Sequence, residues 1–276
     1  MDKVIRVIPI PASAQTLKAT MTIPSLIGPQ VPRGRGFVAK VGVEALPARF
    51  TWAPRDWVAL LAVPAIFATD WIAEQLSTDV SVRGITDTIV RVLLFGVLVV
   101  ANRGLLGRHW RAFWSAPWRS IGVVVGGMIA IQIVVTALGA ALRPLVGGTH
   151  DSGGGDSHLA FAVLLVVSFN PVATALIEDF TFRHTLLMKL LVRHRFWYVA
   201  LLTVANAILF GALHVNNFDG HWLLTLSFAG AGLVMNLTYL WTRNIWHVLL
   251  MHGLNNFILG GPLTVVFVQI LSAAVG

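Results

Sequence analysis

From Trp57 onward the chain is a succession of apolar runs, and this pattern constrains the fold more than any motif does. The runs are Trp57 to Ile72, Thr88 to Ala101, Ile121 to Leu142, Leu159 to Leu191, Phe196 to Leu213, Trp222 to Trp241, Ile245 to Leu259, and Leu263 to the end. A hydrocarbon core ~30 Å thick takes ~20 residues of helix at ~1.5 Å each, and inside it every backbone N–H and C=O must find its partner within the protein. Composition agrees: 56% of the 276 residues are hydrophobic and 12% charged, with a mean hydropathy of +0.77, which excludes an ordinary soluble domain. The sequence therefore predicts an all-α, polytopic transmembrane helical bundle of about seven or eight spans, with the lipid bilayer as its first partner.

The run from Leu159 to Leu191 is too long for one straight crossing, so Asn170 and Pro171 mark a kink or a restart. Loop charge sets the orientation, because Lys and Arg resist translocation. The stretch "ANRGLLGRHWRAFWSAPWRS" carries Arg103, Arg108, Arg111 and Arg119 without an acid and reads as a cytoplasmic loop. "MKLLVRHRF" and "TRN" fall on the same side, while "EQLSTDVSVRGITD" and "GGTHDSGGGDSH" fall on the other. That places the N-terminus in the cytoplasm. Residues 1–54, basic and broken by Pro and Gly, form a flexible cytoplasmic segment in this reading, and residues 55–276 form the transmembrane domain. Pro9 and Pro11 interrupt the early apolar stretch, so the first span is expected to serve as an uncleaved insertion signal.

The chain has no cysteine, which removes disulfides and thiolate metal sites. Its formal charge of +8 is spread over loops and the N-terminal segment rather than along one amphipathic face. Membrane topology explains that distribution, and no nucleic-acid partner is expected. Abundant Ala, Val and Arg with no Cys point to a bacterial cell membrane. Small residues at helical spacing, Gly122 with Gly126 and Ala229, Gly230 and Gly232, predict close helix packing.

Charged groups at mid-membrane cost roughly 2.5 to 3.5 kcal/mol each, so those that persist need a reason. "ALIEDFTFRHTLL" holds Glu178, Asp179 and Arg183. Asp179 and Arg183, at i and i+4, can neutralise each other, which leaves Glu178 with no local partner. In "FGALHVNNF", Phe210 and His214 share a helix face with Asn206, and in "HVLLMHGLNNF", His252 and Asn256 do the same. In a bundle, polar groups from three helices are satisfied by pointing at one another or at a water-filled cavity. A buried carboxylate with a neighbouring imidazole can activate water, and a second imidazole with a carboxamide can support an oxyanion. Measured from the basic loop "VRHR", His214 lies deeper along its helix than His252 lies from Arg243, so tilted spans or a loop dipping inward at "HVNNFDGH" must bring them level.

These residues resemble the signature of the CAAX prenyl protease type 2 and bacteriocin-processing family, the CPBP or Abi intramembrane proteases: EExxxR, FxxxH and HxxxN, here "EDFTFR", "FGALH" and "HGLNN". The likeness covers about residues 159–260. It implies an intramembrane endopeptidase acting on a membrane-associated peptide or protein substrate, prenylated or leader-bearing. It also implies that Glu178 and His214 activate water, that His252 and Asn256 hold the oxyanion, and that Phe210 and Arg183 brace the site. Asp179 departs from the family's second Glu and is one methylene shorter, while its i,i+4 link to Arg183 survives.

No cofactor is required by this chemistry. The alternative is a catalytic zinc held by Glu178, His214 and His252, although the sequence lacks HExxH. A proton-coupled transporter or a non-proteolytic membrane scaffold are the competing functions. "THDSGGGDSH", with His150, Asp151, Asp156 and His158, reads as a solvated turn. His184, His194, His221 and His247 are expected at membrane boundaries, and Trp110, Trp114, Trp118, Trp222, Trp241 and Trp246 in the interfacial belt.

Overall fold

The computed structural model describes residues 36–146 and 159–275. Among these residues every regular element is a helix: α1 (Phe37–Val41), α2 (Pro54–Leu76), α3 (Val80–Ala101), α4 (Arg103–Phe113), α5 (Pro117–Val146), α6 (Phe161–Val167), α7 (Asn170–Glu178), a π-helix (Asp179–Met188), α8 (Phe196–Ala212), α9 (Thr225–Thr242), α10 (Ile245–Leu259) and α11 (Pro262–Val275). Six stretches are long and apolar enough to cross a membrane, and the shorter α8 adds a seventh apolar helix. Large apolar side chains face outward, among them Leu93, Ile133, Leu201 and Phe267, each more than 60% exposed, while Asp179, Arg183 and Asn236 are fully buried. This inversion of the soluble pattern marks an integral membrane protein.

The fourth run breaks where its length required. α6 stops at Val167, Ser168 bonds back from its hydroxyl to the Leu165 carbonyl at 2.7 Å, and α7 restarts with Pro171 in its first turn. There the missing proline N–H costs nothing. α9 is the central helix. Half of its apolar window is buried against 11% for that of α5, and it packs on both α8 and α5. Closest approach to α8 is at Gly211, where a Cβ would lie 2.6 Å from the Thr225 carbonyl. Gly230 and Gly232 serve the expected packing against Val134, Leu138 and Phe210. Gly122 and Gly126 do not, because open space surrounds them.

The arginine-rich stretch read as a loop contains α4. Leu105, Leu106, His109 and Phe113 share one face and are buried, while Arg103, Arg108 and Arg111 face out. Its charges were visible in the sequence, but the helical spacing of its apolar residues outweighs them. Packing also begins earlier than Pro54: Val41 is buried, and the Val43 and Glu44 amides donate to the Arg243 carbonyl. Residues 1–35, the larger part of the expected tail, and the turn holding His150, Asp151, Asp156 and His158 lie outside the described residues.

One polar knot ties α4 to the segment before α2 and to the start of α10. His109 accepts the Ile245 N–H at Nδ1 (3.1 Å), so its proton is on Nε2, which faces Glu44 Oε2 at 3.2 Å. Burial alone would raise the Glu44 carboxyl, yet the His109 hydrogen bond and nearby positive groups hold it below its ordinary value. Asn244 caps α10 through the Trp246 N–H and donates to the carbonyls of Val41 and His109.

Histidines expected at boundaries divide. His194 is exposed, but His184 and His247 are buried, His184 with Nδ1 3.0 Å from the Tyr239 hydroxyl and His247 among the Phe37 and Phe113 rings. Helix packing, which loop charge does not report, puts them inside. Trp110, Trp114, Trp118, Trp222 and Trp241 are exposed as a belt requires, whereas Trp246 packs inward and donates to the Leu106 carbonyl at 2.9 Å.

Candidate active site

The cavity that gathers the polar residues has a volume of about 640 Å³ and lies among α2, α5, α7, α10 and the turn after α8. Glu178, Phe210, His214, His252 and Asn256 all line it.

Each arrives by a different route. Glu178 is the last residue of α7, just before the backbone widens into the π-helix. π turns are rare and concentrate at functional sites. His214 lies beyond the end of α8, on a turn that leads into the 3₁₀ segment Val215–Phe218, and Asp219 and Gly220 then reverse the chain with φ of 50° and 83°. The inward loop, rather than a deep helical position, brings His214 level with His252. His252 and Asn256 project from one face of α10, as their spacing predicts.

Glu178 Oε1 and His214 Nε2 are 3.7 Å apart. His214 Nδ1 lies 2.9 Å from the Phe210 carbonyl, which can only accept, so the neutral ring carries its proton there and turns the Nε2 lone pair toward Glu178. The ring also stacks on Phe228, centroids 4.7 Å apart and planes 11° from parallel. Two acceptors therefore face each other across the gap.

His252 Nδ1 faces Asp179 Oδ1 at 3.4 Å, and the same oxygen is 3.4 Å from Arg183 Nη1. Both contacts are within ion-pair range but not aligned as hydrogen bonds. Asp179 and Arg183 are wholly buried, and the guanidinium sits 4.1 Å from the Phe210 ring centroid. The aromatic face helps to offset the desolvated cation. Asp179 is absent from the cavity wall. The shorter acid thus holds Arg183 and His252 from behind the site rather than reaching into it.

Asn256 Nδ2 donates to the Pro171 carbonyl at 3.0 Å, and its Oδ1 accepts from Asn255 Nδ2 at 3.2 Å. Gln132 Nε2 donates to Asn255 Oδ1 at 2.7 Å. This chain fixes which end of the Asn256 carboxamide is the donor and leaves its second N–H available. Asn206, placed by sequence on the face of Phe210 and His214, instead donates to the Phe182 carbonyl at 3.0 Å and braces the π-helix.

Sequence reasoning missed Gln132, Asn255, Asp70 and Arg91 on the cavity wall. A signal existed for two of them. Gln132 is a lone amide inside an apolar run, and Arg91 stands four residues after Asp87, which it holds at 2.8 Å while also donating to Thr174.

Glu178, His214 and His252 have the right chemistry for a His₂Glu metal set. Among the described residues, however, no group of three or more His, Asp or Glu side chains is placed to hold a metal ion.

Residues 159–258 match the family model described as type II CAAX prenyl endopeptidase Rce1-like. This stretch of the chain is Rce1-like. The Rce1-like stretch runs from before α6 almost to the end of α10, and so takes in "EDFTFR", "FGALH" and "HGLNN" together with the helices that carry them. The match likens this part of the chain to type II CAAX prenyl endopeptidases, as the three motifs led us to expect. α1 to α5 lie outside the Rce1-like match, although α2 and α5 contribute walls of its cavity. No curated protein and no solved structure matches the chain.

Proposed function

We propose that the protein is a glutamate-dependent intramembrane endopeptidase, with Glu178 and His214 activating water and His252 and Asn256 stabilising the oxyanion. The observation that carries this reading is the facing pair of acceptors, Glu178 Oε1 and His214 Nε2, in a cavity that His252 and Asn256 also line. A water between the two acceptors donates one hydrogen to each and turns a lone pair toward a substrate carbonyl. Its oxygen bonds to the carbonyl carbon, its proton passes to Glu178, and the carbonyl oxygen becomes an oxyanion. Collapse of that intermediate breaks the C–N bond as Glu178 returns the proton to the leaving nitrogen. Asn256 offers its free N–H to the oxyanion. His252, with Asp179 behind it, contributes most when protonated, since both ring nitrogens are then donors.

Gln132 orients Asn256 through Asn255. Gln132→Leu is expected to lower kcat by ~10- to 100-fold with KM little changed, since a misdirected donor acts on the transition state rather than on binding. A raised KM at unchanged kcat would show that Gln132 only shapes the pocket.

The substrate is a membrane-associated peptide or protein, and we place the enzyme in a bacterial cell membrane with its N-terminus in the cytoplasm, as the loop charges direct. The reading is tested by comparing peptide termini in membranes containing wild type or Glu178→Gln, with and without strong chelator. New termini in the wild-type sample, unchanged by chelator and missing with the variant, are expected. Termini that vanish with chelator would require a metal, and termini that persist with Glu178→Gln would remove the general base.

A further inference from the structure

A second cavity, about 650 Å³, opens on the other side of the same two helices. On α7 the polar cavity takes Asn170, Pro171, Thr174 and Glu178, whereas the second takes Val172 and Leu176. At 100° per residue these are opposite faces. On α10, Leu250, Leu254 and Phe257 turn away from His252 and Asn256 in the same manner. α3 and the amphipathic α4 close the groove, and Arg103 is the one charged side chain on a wall that is otherwise apolar among the described residues.

Three features make it a built site. Trp246 gives its indole N–H to the Leu106 carbonyl, and its ring lies 4.6 Å from that of Trp110, so this wall is fixed and shows no unsatisfied donor. Gly107 lines the groove where an added Cβ would meet nothing within 4 Å, so the missing side chain leaves room for an occupant. Arg103 is exposed and has no hydrogen bond or ion pair with any described residue. The chain offers it no nearby acid in sequence either: from Thr88 to His150 there are arginines at 91, 103, 108, 111, 119 and 143 and no Asp or Glu.

We propose that this groove binds an anionic phospholipid of the surrounding bilayer, with one acyl chain along Leu106, Trp110 and Leu176 and the phosphate at Arg103. A guanidinium is suited to the paired oxygens of a phosphodiester, and basic pockets between membrane helices attract anionic headgroups. The lipid anchor of a substrate is the less suitable occupant. The α7–α10 pair stands between the groove and Glu178, so an anchor lying there would keep its peptide away from the polar cavity. The proposal does not depend on the hydrolytic reading.

Native mass spectrometry of the purified full chain in mild detergent tests it, with palmitoyl-oleoyl phosphatidylglycerol or phosphatidylcholine added as probes. Wild type is expected to retain the phosphatidylglycerol about fivefold better. Arg103→Gln should erase that preference, in line with ~1 kcal/mol for one basic side chain near a membrane surface. Arg103→Lys should keep most of it. Gly107→Leu, which fills the groove without meeting backbone, should reduce retention of both lipids. Equal retention of the two by wild type, phosphatidylglycerol held undiminished by Gly107→Leu, or one-for-one displacement of bound phosphatidylglycerol by a farnesylated peptide would each overturn the proposal.

Discussion

Glu178→Gln is expected to reduce cleavage by about 10²- to 10⁴-fold while the amount of folded protein stays unchanged. The amide keeps the shape of the side chain, so packing survives, but it cannot take the proton of the attacking water. Loss of a positioned general base removes 10²- to 10⁴-fold in rate, or roughly 3 to 5 kcal/mol of barrier lowering. His214→Ala should fall by a comparable factor, because it removes the other acceptor of the same water. The double variant should then be little worse than either single one, as groups acting as a unit are not additive. Multiplied losses in the double variant would mean that Glu178 and His214 act on separate steps.

Asp179→Ala should be the most damaging change to stability. It strips the anion from Arg183, a cation with no exposure to solvent. Breaking a buried pair by deleting one member typically costs ~3 to 5 kcal/mol, whereas replacing both members with apolar groups can be neutral. Thermal unfolding in detergent should therefore drop sharply for Asp179→Ala and recover for Asp179→Ala with Arg183→Met. Activity should not recover with it, since His252 still lacks the carboxylate 3.4 Å from its Nδ1. A double variant as unstable as Asp179→Ala would show that the pair is not what the single change breaks.

How much of this was legible in the sequence follows from which forces leave a periodic trace. The spans did, because oil selects for apolar length, and the restart near Pro171 did, because an over-long run must break. α4 is hidden behind its own arginines: their charge marks a loop, and it masks the helical spacing of Leu105, Leu106, His109 and Phe113. The π-helix left no trace, since 3.6-residue spacing already brings Asp179 and Arg183 together and nothing in "DFTFRH" announces a wider turn. Glu178, His214, His252 and Asn256 were legible as polar residues out of place in apolar helices. Their second rank was not. Gln132 and Asn255 matter only through a chain of amides that the fold assembles from α5 and α10. Asp179, conspicuous by its charge, turned out to stand behind the cavity rather than in it.

Glu178, Phe210, His214, His252 and Asn256 line one chamber within an apolar bundle, and hydrolysis requires water inside it. Because the chain has no cysteine of its own, single thiols can be placed at will. His214→Cys and Asn256→Cys should react readily with a charged, water-soluble methanethiosulfonate in intact membranes. Ile208→Cys and Leu209→Cys, half exposed on the outer face of α8, should stay unmodified in lipid and become reactive only in detergent. Rapid labelling at 208 and 209 with 214 and 256 inert would contradict the chamber, and with it the water that Glu178 is held to activate.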